Sequence, residues 1–227
     1  MKSKKEKLII IGDSAFAQIA FEYFSHDSTY KVAAFSVEKS FLKREELFGL
    51  PVVPLEELKN RYPPNEYKVF VAIAYNQFNR VRERLYNEVK KKGYSPVSYV
   101  STKAFVWRNV AIGENCFIFE DNTIQPWVRI GNNVILWSGN HIGHHSVIRD
   151  HCFISSHVVV SGFCEIGEYC FLGVNSTIID KVKIAKNCLI GAGATVLKDT
   201  EEGRVYVGSP AKPLEKSSFE AFNVERQ

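Results

Sequence analysis

The chain has 227 residues, enough for one large domain or two small ones, and at 45% hydrophobic and 24% charged it has the make-up of an ordinary globular protein. Its formal net charge of +4 suits an anionic small ligand and does not argue for nucleic acid. No run approaches the ~18 apolar residues of a transmembrane helix, and the start MKSKKEKLIIIG has a short apolar run without a small-residue cleavage site, so a cytoplasmic protein is expected.

The first hundred residues alternate between strand and helix signals. Leu8 to Ile11 is a short apolar run ending in Gly12, as in a buried parallel strand. Ala15, Ile19, Phe21 and Phe24 mark a helix. Lys31 to Phe35 and Leu50 to Val53 read as further strands, the latter running into Pro54 and a short helix. Val69 to Ala74 is another strand. Asn76 then caps a predicted helix carrying Phe78, Val81, Leu85 and Val89, which Gly93 ends. Val97 to Val100 is a last strand. Such alternation predicts a small doubly wound α/β domain with Rossmann-like topology over residues 1–102. The basic clusters Lys2 to Lys7 and Lys90 to Lys92 read as solvated surface.

From Ala104 to Asp199 the pattern changes. The chain can be written as sixteen consecutive hexads whose third residue is always Ile, Leu or Val, from Val106 through Ile154 to Val196. Neither a period of 2 nor one of 3.6 produces this. A hexad repeat with one obligatory aliphatic predicts a parallel β-helix over residues 103–200. Each hexad supplies a short strand and a corner, and three hexads close a triangular coil. Residues 18 apart then stack at roughly 4.8 Å. Residues 201–227 form a cap and tail, folding as a short helix or fraying. All five cysteines (Cys116, Cys152, Cys164, Cys170, Cys188) occupy hexad position one, a site for a small inward residue, and are expected to be thiols.

Five of the six histidines lie between His141 and His157. His145, His151 and His157 share hexad position six on three different corners, so they cannot converge on one metal within a chain. His144 stacks under Gly162, where the missing side chain lets a ligand approach the backbone. A histidine beside an open backbone donor is what acyl transfer needs: the imidazole takes a proton from the nucleophile, and the N–H stabilises the oxyanion. The plainer alternative is a set of hydrogen-bonded corner residues. At the front, Gly12-Asp13-Ser14-Ala15 forms a strand-to-helix turn whose N–H groups favour phosphate. It lacks the G-x-G-x-x-G pattern, and Glu38 falls slightly late for the ribose acid of a dinucleotide site, so no NAD site is read.

The hexads, the segments NHIGHHSVI, FLGVNSTI and CLIGAGATV, the closing VYVGSPAKP and the leading GDSAFA turn together resemble the hexapeptide-repeat acyltransferases, in particular their bacterial nucleotide-sugar N-acetyltransferase and sialic acid O-acetyltransferase branch. The resemblance covers nearly the whole chain. It implies a left-handed β-helix, a homotrimer with active sites between neighbouring β-helices, acetyl-CoA as co-substrate and no metal. It implies an N-terminal domain that holds a nucleotide-linked amino sugar, with no role for nucleic acid or membrane insertion. Carried over residue by residue, His144 matches the general base and Gly162 the glycine facing the acetyl carbonyl. Val174, Ala192, Gly208, Pro210 and Lys212 match the CoA channel. Gly12, Ser14 and Ala15 match the phosphate turn, with Glu38 and Asn76 near nucleotide contacts. The sequence departs from the family where an acid often follows the base, because here His145 follows. Either Asp150 or a neighbouring subunit fills that role, or His145 itself shares the base function. Phe153 replaces a second histidine of some members. The implied activity is N-acetylation of a nucleotide-linked amino dideoxy sugar for surface glycans, with sugar O-acetylation as the alternative. The histidine spacing argues against a γ-type carbonic anhydrase, and the intact His, Gly and GSPAK set against a non-catalytic scaffold.

Overall fold

A computed structural model describes residues 6–225. The expected solvated basic start, Lys2 to Lys5, lies outside the described residues. The chain divides into two compact units, one holding the residues to Ala74 with Arg82–Tyr99, the other Tyr75–Val81 with the residues from Val100 on.

The first unit is built on a sheet of β1 (Glu6–Ile11), β2 (Tyr30–Val37), β3 (Glu46–Leu47), β4 (Leu50–Pro54) and β5 (Tyr67–Val71) in the order β3-β4-β2-β1-β5. All neighbours are parallel except the β3–β4 hairpin. Leu8, Ile9, Ile10 and Ile11 are buried because β1 is central and covered on both faces. Helix α1 (Ala15–His26) packs Phe16, Ala17, Ala20 and Phe24 inward, with Phe24 against Phe70. A short helix α2 (Leu58–Arg61) follows β4. The expected last strand is mostly irregular: Val97 donates to the Val69 carbonyl, and regular strand is confined to Tyr99–Val100.

The third helix differs from expectation. It begins at Arg80 and runs to Lys91 (α3), so Asn76 does not cap it. Gln77, Phe78 and Asn79 instead adopt left-handed backbone, with φ of 47°, 51° and 68°. Phe78 is drawn out of the helical stripe because its ring stacks on Phe222 at 4.6 Å, inside the second unit. A buried arginine, Arg82, takes a place on the inner face and donates to the Ile73 and Ala74 carbonyls.

The second unit is a parallel β-helix. Its hexads give two-residue strands in three sheets. The first face runs from Phe105–Val106 through His141–Ile142 to Thr195–Val196, the second from Ala111–Ile112 to Lys183–Ile184. The third takes in Tyr99–Val100, runs from Phe117–Ile118 to Leu189–Ile190 and closes on Arg204–Val207, which pairs antiparallel with Lys212–Ser217. Residues 18 apart are register partners throughout, as Ile142 with Val160. The position-three aliphatics from Ile118 to Val196 stack into one buried column core. The last helix, Ser218–Phe222, has a capping box between Ser217 and Glu220.

Two features of the coil explain its composition. Every position-six residue from Asn115 to Gly193 has left-handed backbone, including Trp127, Phe163 and Tyr169. Such residues carry a cost of order 1 kcal/mol each. From Asn133 to Gly193 the corner offsets it by bonding each of these N–H groups to a carbonyl one coil below, as His145 to Pro126 and Phe163 to His144; Trp127 donates to Asn109 Oδ1 instead. At position one several Cys and Ser side chains cap a carbonyl fifteen residues on. The thiols of Cys116, Cys152 and Cys164 reach the carbonyls of Gly131, Gly167 and Ile179, as Ser146 reaches that of Ser161. All five cysteines are reduced thiols and buried. Burial pushes those of Cys164, Cys170 and Cys188 up.

Candidate active site

His144, Gly162 and Asp180 stack at one corner, between the first and second faces, at hexad position five of successive coils. The position a Cβ on Gly162 would take lies 2.9 Å from His144 Cε1, 3.0 Å from His144 Nε2 and 3.0 Å from Asp180 Oδ1. Only glycine leaves that space open. Among the described residues no acceptor takes the Gly162 N–H.

The His144 ring is fixed from its other side. Its Nδ1 is 3.1 Å from His145 Nδ1, and its backbone N–H donates to Gln125 Oε1 at 2.9 Å. The His145 ring is in turn sandwiched between Trp127 and Phe163, each stacked at 4.7 Å. Phe163 also meets the His144 ring edge-on. One of two facing Nδ1 atoms must carry the proton that bonds them. With that proton on His144, the His144 Nε2 lone pair points to the space over Gly162. Asp150 does not orient this ring: its carboxylate accepts from the backbone and side chain of Asn132 on another corner.

The remaining clustered histidines are accounted for by the coil. His151 continues a hydrogen-bonded ladder from Asn115 and Asn133, then stacks on Tyr169. His157 lies over Gly139 on the third corner. Among the described residues no group of three or more His, Cys, Asp or Glu is placed to hold a metal ion.

Val174 and Ala192 lie at a different corner, between the third and first faces, so a single chain does not bring them to His144. Val174 is exposed. The Gly208 to Lys212 turn docks beside them: Thr195 donates to the Gly208 carbonyl, and Ala211 to that of Thr195. Gly208 has φ of +88°, and Pro210 and Lys212 are exposed.

In the first unit, Gly12 has φ of +116° and a Cβ there would meet the Ala72 carbonyl at 3.0 Å, so the turn needs glycine. Ser14 is the N-cap of α1 but makes no side-chain cap bond, and Ser14 and Ala15 are exposed. Asp13 pairs with Arg44 at 3.3 Å. Glu38 accepts from both Arg84 guanidinium nitrogens, at 2.8 and 2.9 Å, and these bonds hold its carboxyl below the usual range. Asn76 is exposed and groups with the second unit. Sequence reasoning missed Asp180, Gln125 and the Trp127–Phe163 sandwich. The 18-residue spacing marks Trp127 and Phe163 on either side of His145 and Asp180 beyond Gly162, whereas Gln125, 19 residues before His144, carries no such signal.

These features define a hexapeptide-repeat transferase with an α/β domain in front. Residues 109–144, 145–180 and 163–198 match the bacterial transferase hexapeptide model (six repeats), and residues 7–89 match the PglD N-terminal domain. The chain belongs to the hexapeptide-repeat acyltransferases, and its β-helix is of their left-handed kind. It is similar to perosamine N-acetyltransferase from Caulobacter crescentus, solved as a His→Asn variant with CoA and GDP-perosamine. The identity is 25% over 92% of this chain and 97% of that one, with a TM-score of 0.83. The acetyltransferase domain of PglB from Neisseria gonorrhoeae (22% identity, 92% and 100% coverage, TM-score 0.83) and WeeI from Acinetobacter baumannii (22%, 92% and 100%, 0.71) share the fold. No curated protein matches the chain.

Proposed function

We propose that the protein transfers an acetyl group from acetyl-CoA to the amino group of a nucleotide-linked amino dideoxy sugar. The observation that carries the reading is that His144 Nε2 borders the space only glycine leaves free at Gly162, whose N–H has no acceptor among the described residues. Likeness to the perosamine N-acetyltransferase supports CoA and a nucleotide-linked amino sugar as ligands.

The chemistry follows from the site. His144, held as the Nδ1–H tautomer by His145, accepts a proton at Nε2 as the acceptor nitrogen bonds to the acetyl carbonyl carbon. The Gly162 N–H donates to the oxygen that becomes negative. Collapse of the adduct breaks the C–S bond, and the departing thiolate takes the proton from His144. The products are an amide and free CoA thiol. As imidazolium, His144 still donates through Nδ1 to His145, so the contact serves both protonation states.

The other sites are part of the same proposal. Val174, Ala192, Gly208, Pro210 and Lys212 line the CoA channel, and Gly12, Ser14 and Ala15 hold the nucleotide phosphates, with Glu38 and Asn76 nearby. A homotrimer completes the site. The first face and its corners expose Phe105, Trp107, Trp127, Phe163, Ile179 and Leu197, an apolar stripe suited to a second copy. The base-bearing corner and the Val174 corner border that same face, so packing it against a neighbour would join them. No described helix is long and apolar enough to cross a membrane. A cytoplasmic location and a role in lipopolysaccharide or related surface glycans complete the proposal.

The test is thiol release from acetyl-CoA against UDP-, dTDP- and GDP-linked amino sugars, with mass spectrometry of the products. One acetyl group gained on nitrogen is the expected result. His144→Ala should lower turnover by roughly 10²- to 10⁴-fold with an unchanged melting temperature. Near-normal turnover in that variant would remove His144 as the base. A product acetylated on oxygen would move the assignment to sugar O-acetylation.

A further inference from the structure

Asp180 is the third member of the His144 corner and has no part in the chemistry described so far. Its Oδ1 lies as close to the open space over Gly162 as His144 Nε2 does, 3.0 Å from the same point. Its Oδ2 is 3.7 Å from the ammonium of its own neighbour Lys181, whose side chain is 76% exposed, so that pair is weak and well screened. The space above Gly162 is thus walled on one side by an imidazole nitrogen and on the other by a carboxylate oxygen.

On the neighbouring corner, residues 18 apart use the same geometry to cap the backbone: Glu114 donates its N–H to Asn132 Oδ1, and Asn132 its N–H to Asp150 Oδ1. Asp180 stands in the equivalent place relative to Gly162, yet no such bond forms among the described residues. Its Oδ1 therefore faces the cleft without closing it.

We infer that Asp180 is the residue that selects a nitrogen acceptor over an oxygen acceptor. The inference rests on the transferase reading above and deepens it. An amine that arrives as the ammonium ion is held by the Asp180 carboxylate and sheds one proton to water before it can attack. The free amine then carries two protons: His144 takes one as the C–N bond forms, and the other stays on nitrogen as a hydrogen-bond donor to Asp180. A hydroxyl has a single proton, which His144 must take. Its oxygen would then face Asp180 with lone pairs only. Asp180 is 55% exposed in the single chain, so it penalises a ligand that lacks the matching donor once the acceptor and co-substrate displace water from it. The charge balance of the reaction points the same way. Addition of an amine to the acetyl carbonyl places positive charge on nitrogen and negative charge on oxygen. Asp180 offsets the first while the Gly162 N–H offsets the second. Attack by a hydroxyl that has lost its proton to His144 leaves only the oxyanion, and a carboxylate beside it is repulsive.

The experiment compares wild type, Asp180→Asn and His144→Ala, with GDP-perosamine and its analogue bearing hydroxyl in place of the amine as first probes, and then the wider amino-sugar panel. Asp180→Asn keeps size and removes the charge. Its KM for the amine should rise about tenfold or more at pH 7, and its amine-over-hydroxyl preference should fall by a similar factor. The KM for acetyl-CoA and the melting temperature should stay as in wild type. The deficit should shrink as pH rises and the acceptor loses its own charge, a dependence that a merely structural role would not produce. An unchanged amine preference in Asp180→Asn, with His144→Ala inactive, overturns the role of Asp180 and leaves the base assignment standing. A wild type that prefers the hydroxyl sugar overturns it together with N-acetylation. No turnover on any acceptor sinks the transferase reading and this inference with it.

Discussion

The Nδ1 atoms of His144 and His145 face each other at 3.1 Å, and the His145 ring is clamped between Trp127 and Phe163. His145 thus brings a second imidazole to His144 where a carboxylate could stand. With the shared proton on His144 Nδ1, Nε2 is left as the acceptor. His145→Phe keeps the stacked column, and phenylalanine already tolerates the left-handed backbone at Phe163. The variant should melt as wild type does but lose roughly 10- to 100-fold in kcat, as the base loses its partner. Steady-state thiol release with a thermal melt checks both halves.

Gly162→Ala and Gly143→Ala should fail in different ways. A Cβ on Gly162 meets the ring of exposed His144 and the Asp180 carboxylate, which can swing aside. Turnover should fall about 10-fold or more with little change in stability. A Cβ on Gly143 meets the backbone of Ser161 and Gly162 at 2.5 to 2.7 Å, which cannot yield. That variant should lose about 1–3 kcal/mol in urea unfolding.

The cysteines should be chemically quiet. All five are buried, and burial raises the thiols of Cys164, Cys170 and Cys188. The thiolate is the reactive form, so a disulfide reagent at pH 7 should label the native protein slowly and all five groups on unfolding. Rapid labelling of the folded protein would contradict the packing.

The Glu38–Arg84 pair makes a pH prediction. Hydrogen bonds from Arg84 lower the folded-state pKa of Glu38, so the pair stabilises above the unfolded carboxyl value of about 4.3. The contribution is lost as pH falls through the folded value. Both side chains are partly exposed, so Arg84→Gln should cost only about 0.5–1 kcal/mol at pH 7. Urea melts of the two proteins should draw together as pH falls below the lowered folded-state pKa of Glu38.

The hexad repeat made most of the β-helix legible, because the interior of each coil takes an aliphatic at position three of every strand, with small residues at position one beside it. From Ile118 to Val196 that column is buried without exception. The same period, 18 residues per coil, placed His144 under Gly162. The α3 region was not legible in the same way. Phe78, Val81, Leu85 and Val89 have helical spacing, but Phe78 finds a better partner in Phe222, a residue far along the chain. Local periodicity carries no information about such a competitor.

By itself, then, the sequence determined the α/β unit, the triangular coil and the residues that share a corner, since each follows from short-range periodicity and the fixed strand spacing. Tertiary structure alone decided which of five histidines faces open space, which nitrogen of His144 is free, and that Asp180 looks into the same cleft. Those outcomes depend on ring orientation and on which polar group captures which partner. Several near-equal hydrogen-bond partners compete for each ring, and only the assembled coil selects among them.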